Sequence, residues 1–284
     1  MGTTRRNFLK TLAALGPMAA LPACRPPSPP DGAMAGAAPR PLRPAPAASV
    51  LVSGGTITKE GQFLDHVRAA HRSHYAGRRS ILLILHATVP AERDAEEKKV
   101  QAMFAADGFA AESLHHHAGG AARDKIDSAE AFFVGGGETF LLLRTLYDGR
   151  QLEPLRERVL AGAPYHGTSA GCNVAGSLIG CTNDFPVVDI PTRVSLGIFP
   201  AVLNPHHPPA GDPEYAGRVN KIKGYLRVNP GETVLALGNG AVARRQGGEV
   251  SLVHGPGFLY SVAGDRVLTE SPIPELSAFA AIGV

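Results

Sequence analysis

Three short stretches of this chain carry residue types able to act together on a carbonyl group. Tyr165-His166-Gly167-Thr168-Ser169-Ala170-Gly171-Cys172-Asn173 contains Gly-x-Ser-x-Gly, the pattern of a nucleophile elbow. A serine at a strand-to-helix turn is held in a strained, exposed pose, and flanking glycines let the backbone pass without a clash. The amides that follow open a helix and can stabilise a developing oxyanion. Alone, the same pattern also describes a small-residue turn packing a helix on a sheet. The second stretch, Phe132 to Phe140, runs an apolar strand into Gly135-Gly136-Gly137 and then Glu138-Thr139. Bare amides there can approach a carbonyl oxygen, and no Gly-Lys-Ser/Thr follows to make a phosphate loop. The third is Leu203-Asn204-Pro205-His206-His207. His206, just past a strand-like run, is a candidate general base for Ser169, or else a histidine at the edge of the core.

These residues need a frame, and the hydrophobic pattern predicts one. Apolar β-like runs fall at Val50–Val52, Ile81–Leu85, Ala131–Val134, Pro164–His166 and Thr233–Leu237. Helical spacing falls at Phe63–Tyr75, Glu92–Ala106, Thr139–Tyr147, Pro154–Leu160 and Tyr215–Leu226, and Ala170–Ser177 reads as the elbow helix. In the second helix Glu92, Glu96, Glu97 and Lys99 are expected on a solvated face, with Val100, Met103 and Phe104 inward. Ala241–Ala243 and Val250–Val253, joined through Gln246-Gly247-Gly248, read as a hairpin. Alternating strands and helices predict an α/β fold, a mainly parallel sheet covered on both faces. Ligands in such sheets bind at the carboxyl ends of the strands, where Gly135–Gly137 and Ser169 are expected.

The motifs in combination resemble a known family. Gly135-Gly136-Gly137-x-Thr139, Gly167-x-Ser169-Ala170-Gly171-x-Asn173, Thr182-Asn183-Asp184-Phe185-Pro186-Val187-Val188-Asp189 and Asn204-Pro205-His206 follow one another as in the aspartyl dipeptidase (peptidase E) family of serine peptidases, whose wider group includes the cyanophycinases. The resemblance runs from about Ser49 to His254. It implies a flavodoxin-like fold related to class I glutamine amidotransferases, and cleavage of small peptides with an N-terminal aspartate. It also implies a Ser-His-Glu triad in which Ser169 is the nucleophile and His206 the base. The amide of Gly136 or Gly137, with that of Ala170, would form the oxyanion hole. Arg218 matches the arginine that grips the substrate's aspartate side chain. One match fails. Asn239, in Leu237-Gly238-Asn239-Gly240, stands where the family has its glutamate. In a serine protease an acid-to-amide change cost ~10⁴ in turnover. Glu138 stands where the family usually has Asn, so a carboxylate near the substrate is gained as the triad acid is lost.

Composition and termini set the context. The 284 residues carry a net charge of +3 and no Trp, which implies no nucleic-acid partner and no stacking surface. Residues 1–24 read as an export signal. Arg5-Arg6-Asn7-Phe8-Leu9 is a twin-arginine pattern, and the apolar run from Thr11 to Ala20 is too short to span a membrane. Leu21-Pro22-Ala23-Cys24 resembles a lipobox, with Cys24 the residue to be acylated, so the expected product is a membrane-anchored lipoprotein or, if the signal is simply cleaved nearby, a released periplasmic protein, with any membrane contact through an N-terminal lipid anchor. Residues 25–48, dense in Pro, Ala and Arg, read as an extended tether, and 49–284 as the catalytic domain. Cys172 and Cys181 are expected to be free and buried. His115-His116-His117 would be split across two faces of a strand and is expected to bind no metal. No cofactor is expected, and the partner is a small peptide.

Three functions fit these residues: a serine dipeptidase, a cyanophycinase-like or other amide or ester hydrolase, and a binding paralogue weakened by loss of the acid. Labelling of Ser169 by a serine-reactive phosphonate separates the third from the first two.

Overall fold

The computed structural model describes residues 47–263 and 267–272. The twin-arginine pattern, Cys24 and nearly all of the tether lie outside the described residues. From β1 (Ser49–Ser53) the chain forms a short ribbon, β2 (Thr58–Lys59) and β3 (Gln62–Phe63), and then α1 (Asp65–His74). Next come β4 (Ser80–Ile84), α2 (Arg93–Ala106), β5 (Ala110–Ser113), α3 (Gly119–Ser128), β6 (Phe132–Val134), α4 (Thr139–Asp148), α5 (Leu152–Leu160), β7 (Tyr165–Thr168) and α6 (Ala170–Ala175). Then follow β8 (Val202–Asn204), α7 (Tyr215–Val228), β9 (Val234–Leu237), β10 (Val242–Gln246), β11 (Glu249–His254), β12 (Gly257–Ala263) and β13 (Val267–Pro272).

The larger sheet has the order β11-β10-β1-β7-β6-β4-β5. Its strands from β5 to β1 are parallel, and the β10–β11 hairpin closes one side antiparallel. The strands are nearly continuous apolar runs because both faces are buried. Alternate residues feed opposite cores. Val50, Val52, Leu82, Ile84, Phe132 and Val134 pack with α3, α4, α5 and α6. Leu51, Ile81, Leu83, Leu85 and Phe133 pack with α1 and α2. This is the expected flavodoxin-like core.

The run at Thr233–Leu237 departs from expectation. It joins a second, four-stranded sheet of order β13-β12-β9-β8, in which only β8 and β9 are parallel. Helix α7 covers it with Val219, Ile222 and Leu226. Periodicity reports that a strand is buried, not which sheet receives it. Phe63 is also not helical. It ends β3, and its ring lies in edge contact with those of His71, Phe104 and Phe133, so α1 begins two residues later. The elbow helix stops at Ala175, two residues short of the expected length, because Gly176 turns extended. Cys172 and Cys181 are free, and burial pushes the Cys172 thiol up, which makes it unreactive.

Candidate active site

Ser169 leaves the carboxyl end of β7 with φ 51° and ψ −110°, a conformation that only glycine adopts without strain. Neighbours hold it there. The Ser169 amide donates to Ser53 O on the adjacent β1 at 3.2 Å, and Ser169 O accepts from the Asn173 amide at 3.0 Å. The glycines permit the crowding. A Cβ added to Gly171 would come within 2.2 Å of Val134 O, and one on Gly136 within 3.0 Å of the Ser169 Cβ. The triple-glycine loop therefore lies directly beside the Ser169 side chain. Ala170 is the first residue of α6, so its amide has no partner inside the helix.

The other two groups come from the second sheet. β8 and β9 run side by side, and each delivers a residue from its carboxyl end: His206 two residues past Asn204, Asn239 two past Leu237. Ser169 Oγ lies 2.9 Å from His206 Nε2, and His206 Nδ1 lies 2.7 Å from Asn239 Oδ1. A carbonyl oxygen accepts, so Nδ1 carries the proton and Nε2 accepts from the Ser169 hydroxyl. This is the tautomer a general base needs. His206 itself has φ 57°, and its amide donates to Gly54 O at 2.7 Å. Gly55, φ +98°, lies under the imidazole, where an added Cβ would stand 2.0 Å from the ring. Sequence reasoning missed Gly54-Gly55. Their signal is a glycine pair directly after β1, at the same strand ends as the other loops.

Exposure bears on the neutral partner of His206. Ser169 is half-buried, whereas His206 and Asn239 are exposed. Water can then share in solvating an imidazolium, and the charge of an acid matters less than in a buried triad. Glu138 is not a hydrogen-bond partner of the His206 ring. Both ring nitrogens of His206 are occupied by Ser169 and Asn239, and Glu138 stands at the start of α4, its amide donating to Ala87 O.

Arg218, half-buried on α7, faces the same loop. One of its terminal nitrogens donates to Asn204 Oδ1 at 3.3 Å, Pro205 O at 3.1 Å and His206 O at 3.0 Å. It braces the turn that carries His206, a role its sequence position did not reveal. Burial lowers its pKa, partly offset by the charges of Glu214 and Asp184. Asp184 in turn accepts from the Thr139 amide at 3.0 Å. The buried Asn173 donates to Thr139 Oγ1 at 3.0 Å and Thr182 Oγ1 at 3.2 Å. The Thr182–Asp189 segment is thereby tied to the elbow helix and to the end of the glycine loop. Beside Ser169 a cavity of about 210 Å³ is lined by Ile57, Phe63, Val100, Met103, Phe133 and Glu96. That is below the ~300–1,000 Å³ of sites for larger ligands.

A serine hydroxyl donating to a histidine protonated on Nδ1, beside a glycine loop, can attack a carbonyl carbon. The profile of peptidase family S51 matches residues 49–253. The chain belongs to peptidase family S51. It is 38% identical over 204 residues to peptidase E of Haemophilus influenzae, covering 70% of this chain and 93% of that one. It is 32% identical over 210 residues to peptidase E of Actinobacillus pleuropneumoniae serotype 7, covering 72% and 88%. A solved structure of a peptidase from an acI-B1 actinobacterium superposes with TM-score 0.59 at 14% identity, covering 81% of this chain and 96% of that chain. The S51 chain described here is a serine-type peptidase with the flavodoxin-like fold of its relatives.

Proposed function

We propose that this S51 peptidase hydrolyses small peptides bearing an N-terminal aspartate, through an acyl-enzyme on Ser169. His206 Nε2 takes the hydroxyl proton as Oγ bonds to the carbonyl carbon, and returns it to the amine as the C–N bond breaks. Water then attacks the ester by the same route in reverse. The amides of Gly136 or Gly137 and of Ala170 serve the oxyanion, and the half-buried Arg218 attracts the substrate carboxylate. The observation that carries this reading is the unbroken hydrogen-bonded line Ser169–His206–Asn239 with Arg218 bonded to the same loop. A panel of α-aspartyl, β-aspartyl and asparaginyl dipeptides and simple esters tests it. Cleavage confined to the α-aspartyl set supports it, and equal cleavage of asparaginyl peptides overturns the carboxylate preference.

Arg218 has two expected effects, which the same panel separates. Arg218→Ala should lower kcat on every substrate, because the brace on His206 is lost. It should also lower kcat/KM for aspartyl over asparaginyl peptides by at least ~10-fold, about 1.4 kcal/mol. An unchanged ratio would leave Arg218 as a brace alone.

Asn239 offers a direct test of the missing charge. Asn239→Asp is isosteric, keeps an oxygen 2.7 Å from Nδ1 and adds the charge that stabilises an imidazolium. Turnover should rise by about ten-fold, while Glu138→Gln should leave it unchanged. A loss of rate in Asn239→Asp, measured by steady-state kinetics, would show that the neutral amide is tuned to this site.

A further inference from the structure

The tandem histidines do not lie on a strand. β5 ends at Ser113, and His115 and His116 fall in a 3-10 turn, Leu114–His116, directly after it. Their rings are 4.1 Å apart and tilted, so both face one way. What they face is the first turns of α2. His115 Nε2 lies 2.9 Å from Asp94 Oδ1, and His116 Nε2 lies 2.5 Å from Glu97 Oε2. Asp94 and Glu97, three residues apart, share one side of that helix. One ligand atom from each of the four residues falls within 4.8 Å of all the others. Glu97, expected on a solvated face, is in fact buried.

From this geometry we infer a binding site for a zinc-type divalent metal ion, held by Asp94, Glu97, His115 and His116 and separate from the Ser169 centre. Two imidazoles and two carboxylates form the N and O set that suits zinc, whereas calcium and magnesium prefer oxygen alone. A tetrahedral ion with bonds of ~2.0–2.1 Å places its ligand atoms about 3.3 Å apart. The two close pairs must open slightly and the widest must contract, within reach of side-chain rotation.

The surroundings already orient the ligands. Ser113 Oγ is 2.6 Å from His115 Nδ1, so Nδ1–H can donate there and leave the Nε2 lone pair toward the site. Glu97 Oε1 accepts from the Ser113 amide at 2.8 Å and from Gln101 Nε2 at 3.0 Å, leaving Oε2 for the metal. Gln101 also donates to Ala111 O at 2.9 Å. The ion would clamp α2 to β5. The same helix supplies Glu96, Val100 and Met103 to the cavity beside Ser169, so the clamp would stiffen one wall of it.

The test uses the full chain without a histidine tag, stripped with EDTA and titrated with zinc chloride by calorimetry. One ion per chain and a raised Tm are expected. Asp94 and His116 have side chains 76% and 50% exposed, so Asp94→Asn with His116→Ala should fold normally and bind at least ten-fold more weakly. Absence of binding in the wild type overturns the proposal. So does unchanged affinity in the double variant, which would put the ion elsewhere, such as at His206 or the stacked His66–His254 pair. Cobalt substitution gives a reading that needs no variant. Intense visible bands of a four-coordinate centre without thiolate charge transfer are expected, and a weak six-coordinate spectrum counts against the site.

Discussion

Ser169→Ala should reduce peptide hydrolysis by about 10⁴–10⁶, or ~5–8 kcal/mol of transition-state stabilisation. In the proposed reaction, removing Oγ deletes the nucleophile, and His206 then has no serine proton to take. Stability should move differently. The φ 51°, ψ −110° backbone at Ser169 strains any residue with a Cβ, so alanine keeps the strain and glycine releases it. Ser169→Gly should be as inactive as Ser169→Ala yet more stable by about 1–2 kcal/mol, within the usual cost of such outliers. Steady-state kinetics and thermal melts of the two variants check both halves. Residual activity within ten-fold of wild type would remove Ser169 from the reaction. Equal melting points would show that the turn stores no strain.

Mild acid should unfold this protein, because several histidines are buried neutral. His166, wholly buried on β7, bonds to Ser53 Oγ at 2.7 Å and to His71 Nε2 at 2.7 Å. His74 donates to Tyr165 O at 2.9 Å. Burial pushes His71 down to about 3, and His74 also falls to about 3, through burial opposed by its bond to Tyr165 O and joined by the charges of His71 and Arg244. Burial likewise takes His86 down to about 4, and it lowers His166 well below its ordinary range. Between pH 6.5 and these values the unfolded chain binds protons that the folded chain refuses. Stability therefore falls as pH falls through that window. Each such histidine costs about 1.4 kcal/mol per pH unit. By pH 5 the loss from His71, His74 and His86 should be on the order of 6 kcal/mol, comparable with a whole domain's stability. Urea unfolding between pH 7.5 and 5 should show uptake of about three or more protons, a window above ordinary carboxylate titration. A pH-independent midpoint would mean that these histidines are accessible in the folded state.

Much of the parallel core was legible because its signal is local. A strand buried on both faces must be apolar throughout, as Ile81–Leu85 is, and a helix covering it must carry a stripe, as Val100, Met103 and Phe104 do. Segments without such a signal escaped. β5 is Ala110-Ala111-Glu112-Ser113 at a sheet edge, half solvated and short. α3 opens on Gly119-Gly120, which reads as a loop. Glu97 looked like one more surface carboxylate, because nothing nearby in the sequence shows that it accepts from the Ser113 amide sixteen residues away.

Sequence by itself determined the chemistry available. Gly-x-Ser-x-Gly sets a serine between two glycines, the triple glycine supplies bare amides, and Asn239 is neutral wherever it folds. Only the tertiary structure decided which of these groups meet. Ser169 ends a strand of one sheet, while His206 and Asn239 end neighbouring strands of another. Their approach rests on Gly54 and Gly55, whose backbone passes against Leu237, Gly238 and the His206 ring. The same is true of Arg218 and of the His115–His116 pair. A guanidinium becomes a brace, and two histidines become a cluster with Asp94 and Glu97, because hydrogen-bond geometry acts over about 3 Å between residues that the chain separates by many positions.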